Sequence, residues 1–329
     1  MKPARKPGYL ITGLGMSISP ALDARLQRLR LIDKRAMDAD QLELTLEDHD
    51  GRLAIPRKGA RLGLSLGFQD QGLIDRGTYI VDEVEHAGAP DTLTIRARSA
   101  DLRIDNPAKR CGSWQKKYLG TIVGDLAGRL DLTPRIGGTL AGIFIEHLDQ
   151  TDESDMHLLT RLAERFDATC TPKNGQLLFL PKGTGKTAGG ARIPSLTLRR
   201  DVGDRHRYIV SDRESWTGVI AYWSSLETAE RQQVVIGDTG NAKRLRPTYE
   251  NADHATEEAR AEWQRIQRGL AEMSLALAEG RADLYPETPV TLRDFKSEID
   301  ATPWLITEVV HDMSDTGYTT TLSLEIDTG

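Results

Sequence analysis

The chain has 329 residues, of which 39% are apolar and 28% are charged, and its formal net charge is −6 at pH 7. This length predicts two or three domains, and the modest negative charge argues against a dedicated nucleic-acid-binding protein, which would present a basic face. No apolar run approaches the roughly 18 residues of a membrane span, and Cys111 and Cys170 form neither a metal-binding spacing nor a disulfide framework.

Residues 1–105 are predicted to form a first, all-β domain. Apolar and polar residues alternate with a period of two, which is typical of half-buried antiparallel strands. Turn signals rich in Asp, Gly and Pro separate the apolar segments. The predicted strands lie near 8–14, 26–32, 42–47, 61–68, 78–86 and 92–99.

Residues 106–190 are predicted to form a small α/β domain. Apolar residues recur at helical spacing over 118–132 and again after Ser154, which is a candidate N-cap together with Asp152. Residues 177–180 follow an Asn-Gly turn and indicate a hairpin strand. A linker rich in Gly, Thr and Lys then leads out of the domain.

Residues 191–329 are predicted to form a second β domain. Strands are expected at 193–199 and 215–224, and alternating apolar residues continue from 271 to 327. Between them, residues 252–268 have one apolar face and a following glycine, which indicates a helix. The first domain has no counterpart of this helix, so it is predicted to be an insertion.

The two β domains share a repeated segment. Residues 74–86 recur without a gap as residues 299–311, an offset of 225 (299 minus 74), with Ile, Asp, Glu, Val and His identical in register. A repeat of this kind predicts a duplicated structural unit. The equivalent positions that we expect to form a ring or an interface are Tyr79 and Trp304, Val81 and Ile306, Glu83 and Glu308, and His86 and His311.

The segments that flank the repeat also match. Leu42, Leu44 and Leu46 alternate with polar residues as Met273, Leu275 and Leu277 do with small or polar ones. Other matched segments are 62–66 with 290–292, and 93–95 with 322–324. We therefore interpret the two β domains as a true duplication.

Three short patterns resemble catalytic motifs. Residues 63–67 fit the G-x-S-x-G nucleophile pattern, but the strand alternation continues through Ser65, which favours an outward serine on a strand. The Gly-rich segment 183–187 has Leu180 where a phosphate-binding loop needs glycine, and the S-x-x-K at 113–116 lacks its partner motifs. We expect no catalytic, cofactor-binding or metal site, although a cell-wall hydrolase acting through Ser65 stays open as an alternative.

In combination, these segments resemble the late control gene D family, the baseplate hub proteins of contractile-tailed phages. The resemblance is distributed over most of the chain and follows the family's order. The segments that carry it are 77–84 with 93–102, 150–155 with 159–163, 215–219, and Trp304 with 308–311.

The resemblance implies a mainly β protein with an α/β insert, in which each chain supplies two similar antiparallel β-barrel (tube) domains. Three chains are then expected to form a homotrimer whose six tube domains make a pseudo-sixfold ring. Such a ring would join a sixfold tail tube to a threefold spike, with the edge strands satisfied by neighbouring subunits.

The resemblance also implies partners: a tail tube protein, a spike, and baseplate wedge or tape-measure proteins, in a virion assembled in the host bacterial cytoplasm. We expect a separate spike protein, because the chain ends at Gly329, directly after the second repeat. The lumen is expected to be acidic or neutral, without specific nucleic-acid recognition. The hub of a bacteriocin or of a non-contractile tail tip is the main alternative.

Overall fold

The computed structural model describes most of the chain. The described ranges are 5–13, 16–35, 40–99, 108–173, 175–187, 189–210, 216–224 and 230–328.

Strands predominate over helices in these ranges, so the prediction of a mainly β fold is confirmed. The strands are β1 (Pro7–Gly13), β2 (Met16–Ser17), β3 (Leu26–Lys34), β4 (Gln41–Glu47), β5 (Arg61–Phe68), β6 (Gly72–Ala87), β7 (Thr92–Ser99), β8 (Arg110–Tyr118), β9 (Thr133–Ile136), β10 (Phe144–Glu153), β11 (Ala168–Lys173), β12 (Gln176–Pro181), β13 (Leu196–Arg199), β14 (Gly203–Val210), β15 (Gly218–Ser224), β16 (Arg231–Gly237), β17 (Ala242–Tyr249), β18 (Ala271–Leu277), β19 (Pro289–Arg293), β20 (Trp304–Ser314) and β21 (Gly317–Ile326). The helices are α1 (Ser19–Leu22), α2 (Leu119–Arg129), α3 (Gly138–Ala141), α4 (Asp155–Arg165), α5 (Ala252–Arg268) and α6 (Ser297–Ala301).

One large sheet contains 13 of the described strands and connects the two ends of the chain. Its order is β14-β18-β21-β20-β3-β4-β7-β6-β5-β1-β2, with β19 beside β20 and β13 beside β19. All described pairs in this sheet are antiparallel except β13 with β19, which is parallel. The expected antiparallel pairing is therefore wrong for these two strands, because β13 enters the sheet from the middle of the chain instead of from a hairpin.

The apolar alternation places one face of this sheet in two separate cores. On β4, Leu42, Leu44 and Leu46 are each 1% exposed, whereas the residues between them are half-buried. They pack in a core that also includes Tyr79 and Val81. The second core surrounds a fully buried tryptophan and includes Met273, Leu275, Trp304 and Ile306. Burying alternate residues in this way provides most of the driving force for sheet formation.

The middle of the chain has its own core. Helices α2 and α4 pack with the two-stranded sheet β8–β10 and the three-stranded sheet β9–β12–β11 around the buried Phe179. Ser154 is the N-cap of α4, since its hydroxyl accepts a hydrogen bond from the backbone N–H of His157 at 3.2 Å. Trp114 is buried here, and its indole N–H donates to Asp125 at 3.0 Å.

The segment 216–268 contains more than the single inserted helix that the sequence predicts. Strand β15 lies in a separate three-stranded sheet of order β16-β15-β17, and α5 packs on one face of it. Helix α5 matches the predicted range 252–268. The predicted strand at 215–224 is present from Gly218, but it does not belong to the large sheet because its apolar residues Val219 and Ala221 pack against α5.

Buried charges lie where the parts of the chain meet. Arg268, at the end of α5, forms two hydrogen bonds of 2.5 Å to the Asp167 carboxylate in the middle part. Arg76 on β6 donates to Asp33 on β3 at 2.6 Å and lies 4.1 Å from the ring centre of Tyr285. Because unpaired buried charges are strongly unfavourable, these contacts fix how the parts meet.

One carboxyl group at this junction makes stability depend on pH. Burial, and the charge of the neighbouring Asp33, raise the pKa of Asp40 from 3.8 to about 7. The folded state therefore binds a proton that the unfolded state releases, so this contribution to stability is complete below the unfolded pKa and is lost as the pH rises through about 7. Relative to Asp40→Asn, we expect the wild-type chain to lose on the order of 2 kcal/mol between about pH 4 and pH 8.

Urea unfolding of both proteins across this pH range measures the difference. Asn can still accept the hydrogen bond that the Asp40 carboxylate accepts from the backbone N–H of Lys34. Asp70→Asn, at an exposed carboxyl group, is the matched control and should follow the wild type. Parallel pH profiles for the wild type and Asp40→Asn would contradict the prediction.

Candidate functional site: a seam between two strand units

The large sheet contains two sets of six strands in corresponding order. We call β3-β4-β7-β6-β5-β1 unit 1 and β14-β18-β21-β20-β19-β13 unit 2, each written in the order in which neighbouring strands pair. The repeated sequence segment lies on β6 in unit 1 and on β20 in unit 2, at the fourth position of both orders.

The irregularities of the two units also fall at corresponding residues. The register of β6 against β7 shifts between Val81 and Glu83, and that of β20 against β21 shifts between Ile306 and Glu308. The backbone hydrogen bonds next to each shift also match. Val81 forms backbone hydrogen bonds with residues 59 and 60, and Ile306 forms them with residues 287 and 288. Because a bulge inserts a residue and reverses which face the following side chains occupy, this correspondence fixes the side-chain direction in both units.

The pairing corrects one flank of the sequence comparison. Val81 pairs with Ala97, and Ile306 pairs with Leu324. Ile95 therefore corresponds to Leu322, and the matching of 93–95 with 322–324 was displaced by two residues. The sequence comparison could not detect this, because a shift of two preserves the alternation.

The two units join where β3 of unit 1 pairs with β20 of unit 2, and we call this junction the seam. The pairing is antiparallel and runs from Glu308 opposite Lys34 to Ser314 opposite Arg28. One more backbone bond, from Arg35 N–H to the Thr307 carbonyl at 3.1 Å, extends it. One edge of β20 is thus shared: its first residues pair with β19, and its residues from Glu308 onward pair with β3.

Opposite charges cross the outward face of the seam. Arg28 on β3 forms a bidentate ion pair with Asp312 on β20, and Lys34 lies 3.9 Å from Glu308. These side chains are partly exposed, so each pair adds little to stability. Their contribution is to select the register, because a shifted register would separate them.

The inward face of the seam is fully buried. Leu29 and Leu31 from β3 and Val309 and His311 from β20 are each 0% exposed. The His311 Nδ1 lies 2.8 Å from the Tyr318 hydroxyl. Burial, together with the charge of Arg76, lowers the pKa of His311 to about 3, so the imidazole is neutral at physiological pH.

The structure separates the eight predicted ring residues into three groups. Tyr79, Val81, Trp304 and Ile306 lie in the two apolar cores. Glu308 and His311 lie in the seam. Glu83 and His86 lie on the part of β6 that corresponds to the seam portion of β20.

This part of β6 has an unpaired edge. Strand β5 pairs with β6 only between Gly72 and Ile80, so from Glu83 to Ala87 the described chain bonds β6 on its β7 side alone. The outer edge of β14, at the other end of the sheet, is likewise unpaired among the described strands. Glu83 bonds to Arg96, and His86 Nε2 lies 3.3 Å from the buried Asp48.

Sequence reasoning missed the role of β3 and β14. Arg28 and Arg30 alternate with buried leucines on β3, and Arg205 and Arg207 occupy the corresponding places on β14. This shared Arg-x-Arg pattern was available in the sequence, but it does not show which strand it meets.

The nucleophile pattern at Ser65 has no catalytic geometry. Ser65 lies within β5, opposite Leu10 on one side and Asp75 on the other, and Leu64 and Leu66 beside it are buried. A nucleophile elbow requires a sharp turn between a strand and a helix. In the part of the chain that the structure describes, no group of three or more His, Cys, Asp or Glu side chains is arranged to hold a metal ion.

Within the described ranges, no helix combines the length and the apolar character that crossing a membrane requires.

Comparison with known proteins identifies related sequences over nearly the full length. The model of the phage tail baseplate hub (GPD) family matches residues 42–317. The probable baseplate hub proteins of Escherichia phage 186 and Escherichia phage P2 are each 38% identical to this chain, over 97% of its length and 93% of theirs.

Solved structures share the fold at low sequence identity. The 43 kDa tail protein of prophage MuSo2 from Shewanella oneidensis has a TM-score of 0.69 and 19% identity, over 97% of this chain and 98% of its own. The tail protein from Neisseria meningitidis MC58 has a TM-score of 0.70 and 12% identity, over 98% of this chain and 97% of its own.

Proposed function

The chain belongs to the phage tail baseplate hub (GPD) family and is a structural hub protein of the phage tail baseplate, and from this premise we propose that it acts as a trimeric symmetry adapter. Three copies would present six similar strand units in a pseudo-sixfold ring. Such a ring can contact a sixfold tail tube on one side and a threefold spike on the other.

The observation that carries this proposal is the seam between units 1 and 2. Two sets of six strands with corresponding order and corresponding bulges meet edge to edge within one chain. A repeated unit joined by a strand-pairing seam is the element from which a closed ring of equivalent contacts is built. In the proposed ring, both units are the barrel-like tube domains that mate with tube subunits.

The polar face of the large sheet is suited to a channel wall. Among the residues facing outward there, Arg96 bonds to three carboxylates, Glu43, Glu83 and Glu85. On β3, Arg30 lies opposite Glu43 and Arg28 pairs with Asp312, so the charges of this face are largely paired and it is close to neutral. A wall of this kind attracts neither DNA nor acidic proteins. We propose that this face lines the lumen of the ring and that DNA or a tape-measure protein passes it without specific recognition.

The proposed partners follow from this role. They are the tail tube protein, a separate spike protein, and baseplate wedge or tape-measure proteins, with assembly in the cytoplasm of the host bacterium. The role requires binding surfaces and no catalysis, which agrees with the strand setting of Ser65. A contractile phage tail is the proposed context, with a phage-derived bacteriocin or a non-contractile tail tip as related machines built on the same hub.

Light scattering coupled to size-exclusion chromatography tests the proposal. We expect a mass three times that of the 36.4 kDa chain, and co-elution with a spike trimer encoded beside it. A chain that remains monomeric at high concentration and also fails to bind the spike would contradict the adapter role. A cryo-electron map of the tail tip with a lumen lined by Lys and Arg would contradict the proposed channel wall.

A further inference from the structure

We propose that the seam between β3 and β20 recurs between copies of the chain, where β6 of one copy pairs with β14 of the next copy in a defined register. The inference rests on the proposed trimer and specifies the surface that builds it. The occupant of the free β6 edge is thus a second copy of this chain.

The first step is that β14 corresponds to β3 residue by residue. On β4, Leu44 pairs with Leu29; on β18, the corresponding Leu275 pairs with His206. Both strand pairs have their register shift near the start, between Leu26 and Arg28 and between Gly203 and Arg205. Arg30 and Arg207 therefore occupy equivalent places.

The second step transfers the register of the seam to the free edges. Within the chain, His311 lies opposite Leu31, and their equivalents are His86 and Tyr208. The same transfer gives the other predicted pairs across the new junction, which are Val84 with Val210, Glu85 with Ile209, and Ala87 with Arg207.

The third step compares solvent exposure at equivalent positions. The side chains of β3 and β20 lie in the seam, whereas those of β14 and β6 lie at sheet edges that no described strand covers. Val309 and His311, inside the seam, are 0% exposed, whereas the His86 side chain is 42% exposed. Val210 is 63% exposed although it lies at a position equivalent to the 5%-exposed Asp33. Apolar surface at the edge of a sheet, left uncovered by the residues that the structure describes, indicates an association surface.

The fourth step is charge complementarity. Glu83 and Glu85 on β6 share Arg96 with Glu43, which leaves three carboxylates around one guanidinium group. Arg207 on β14 is exposed and forms no ion pair with any described residue. In the predicted register, Arg207 lies diagonally across from Glu85, within reach of a long side chain.

The same polarity holds in the seam inside the chain. There the cations Arg28 and Lys34 are on β3, and the anions Asp312 and Glu308 are on β20. Since β3 corresponds to β14 and β20 to β6, each copy carries one basic and one acidic edge. Such a contact joins different surfaces head to tail, and it closes into a ring when the rotations of the successive copies add up to one full turn.

Cysteine cross-linking tests the predicted register. In a Cys111→Ser background, Glu85→Cys and Ile209→Cys are combined in one chain and oxidised, because directly opposite residues bring their Cβ atoms within disulfide reach. We expect covalent dimers and trimers on a non-reducing gel. The matched positive control is Val310→Cys with Ile32→Cys, the equivalent pair inside the chain, which should give only an intramolecular disulfide.

Further cysteine variants test whether cross-linking is specific to the predicted pair. The variants with Glu85→Cys alone or Ile209→Cys alone should give no covalent trimers on the gel. Glu85→Cys combined with Tyr208→Cys should also stay uncross-linked, because adjacent residues on a strand face opposite sides of the sheet. Cross-linking of that off-face pair as efficient as that of the predicted pair would overturn the register. A separate charge test is Arg207→Glu, which should weaken association about fivefold, with recovery when Glu85→Arg is added in the same chain.

The outcomes separate this inference from the proposed function. A trimer by light scattering whose predicted cysteine pair stays unlinked, while the positive control forms its disulfide, would overturn the seam and leave the trimer standing. A chain that is monomeric at high concentration and also unlinked would overturn both.

Discussion

Replacing Arg268 with alanine is expected to destabilise the fold by about 3 to 5 kcal/mol. The Arg268 and Asp167 side chains are 4% and 2% exposed, and the guanidinium also lies 3.4 Å from Glu325. Without Arg268, the Asp167 carboxylate stays buried with its main partner lost. The energetic cost is that of an unpaired buried charge, which greatly exceeds the net stabilisation of the intact pair.

Urea unfolding, followed by circular dichroism, measures this effect. Arg265→Ala removes an arginine one turn earlier on α5 whose side chain is 52% exposed, and it should change stability by less than about 0.5 kcal/mol. Combining Arg268→Met with Asp167→Asn should restore part of the stability, because both charges then leave the interior and Asn tolerates the left-handed backbone conformation of this position, φ 47°. A loss below about 1 kcal/mol for Arg268→Ala alone would show that water reaches Asp167.

Trp304→Ala is expected to destabilise the fold by about 3 to 5 kcal/mol. Trp304 is 0% exposed in the core of unit 2, its indole N–H donates to the Ile299 carbonyl at 2.9 Å, and its ring packs edge-on against Tyr208 at 6.1 Å. Truncation leaves a large cavity in a close-packed core. Because Tyr208 lies on β14, the same change should also loosen the edge proposed to pair with the next copy.

The conservative change separates packing from the hydrogen bond. Trp304→Phe keeps an aromatic ring and loses the indole N–H, so it should cost much less than Trp304→Ala. Chemical denaturation gives the stability of each variant, and the cross-linking yield of the Glu85→Cys and Ile209→Cys pair reports on the β14 edge. Equal losses of stability for Phe and Ala would mean that the hydrogen bond, and not the packing, dominates at this position.

Much of the large sheet could be predicted from the sequence. Strands β3, β4, β5, β7 and helix α5 lie within a few residues of their predicted bounds. The reason is local: burial of one sheet face imposes a period of two, and a helix against a sheet imposes an apolar stripe. The same local signal predicted that Ser65 continues a strand.

The sequence did not reveal that β15, β16 and β17 form a small sheet apart from the rest of the second β domain, because the sequence signal is local. Its alternation on β15 is that of any half-buried strand, and nothing local indicates that α5 rather than the large sheet covers it. The parallel pairing of β13 with β19 was likewise hidden, because neighbouring strands far apart in sequence carry no turn signal.

The candidate site divides along the same line. The sequence alone determined that 74–86 and 299–311 are equivalent. Their identical residues recur at the same spacing, and this spacing fixes which face of the sheet each side chain occupies. That His311 is buried while His86 is exposed was decided only by the tertiary structure, because it depends on whether another strand covers the edge.

The sequence by itself therefore determined which residues face a core and that the chain carries the same strand unit twice. Only the tertiary structure decided which edges meet, with β3 joined to β20 and the edges of β6 and β14 left without a partner in the described chain. The physical reason is that side-chain alternation records the faces of a sheet. Its edges are backbone N–H and C=O groups, which every residue except proline shares.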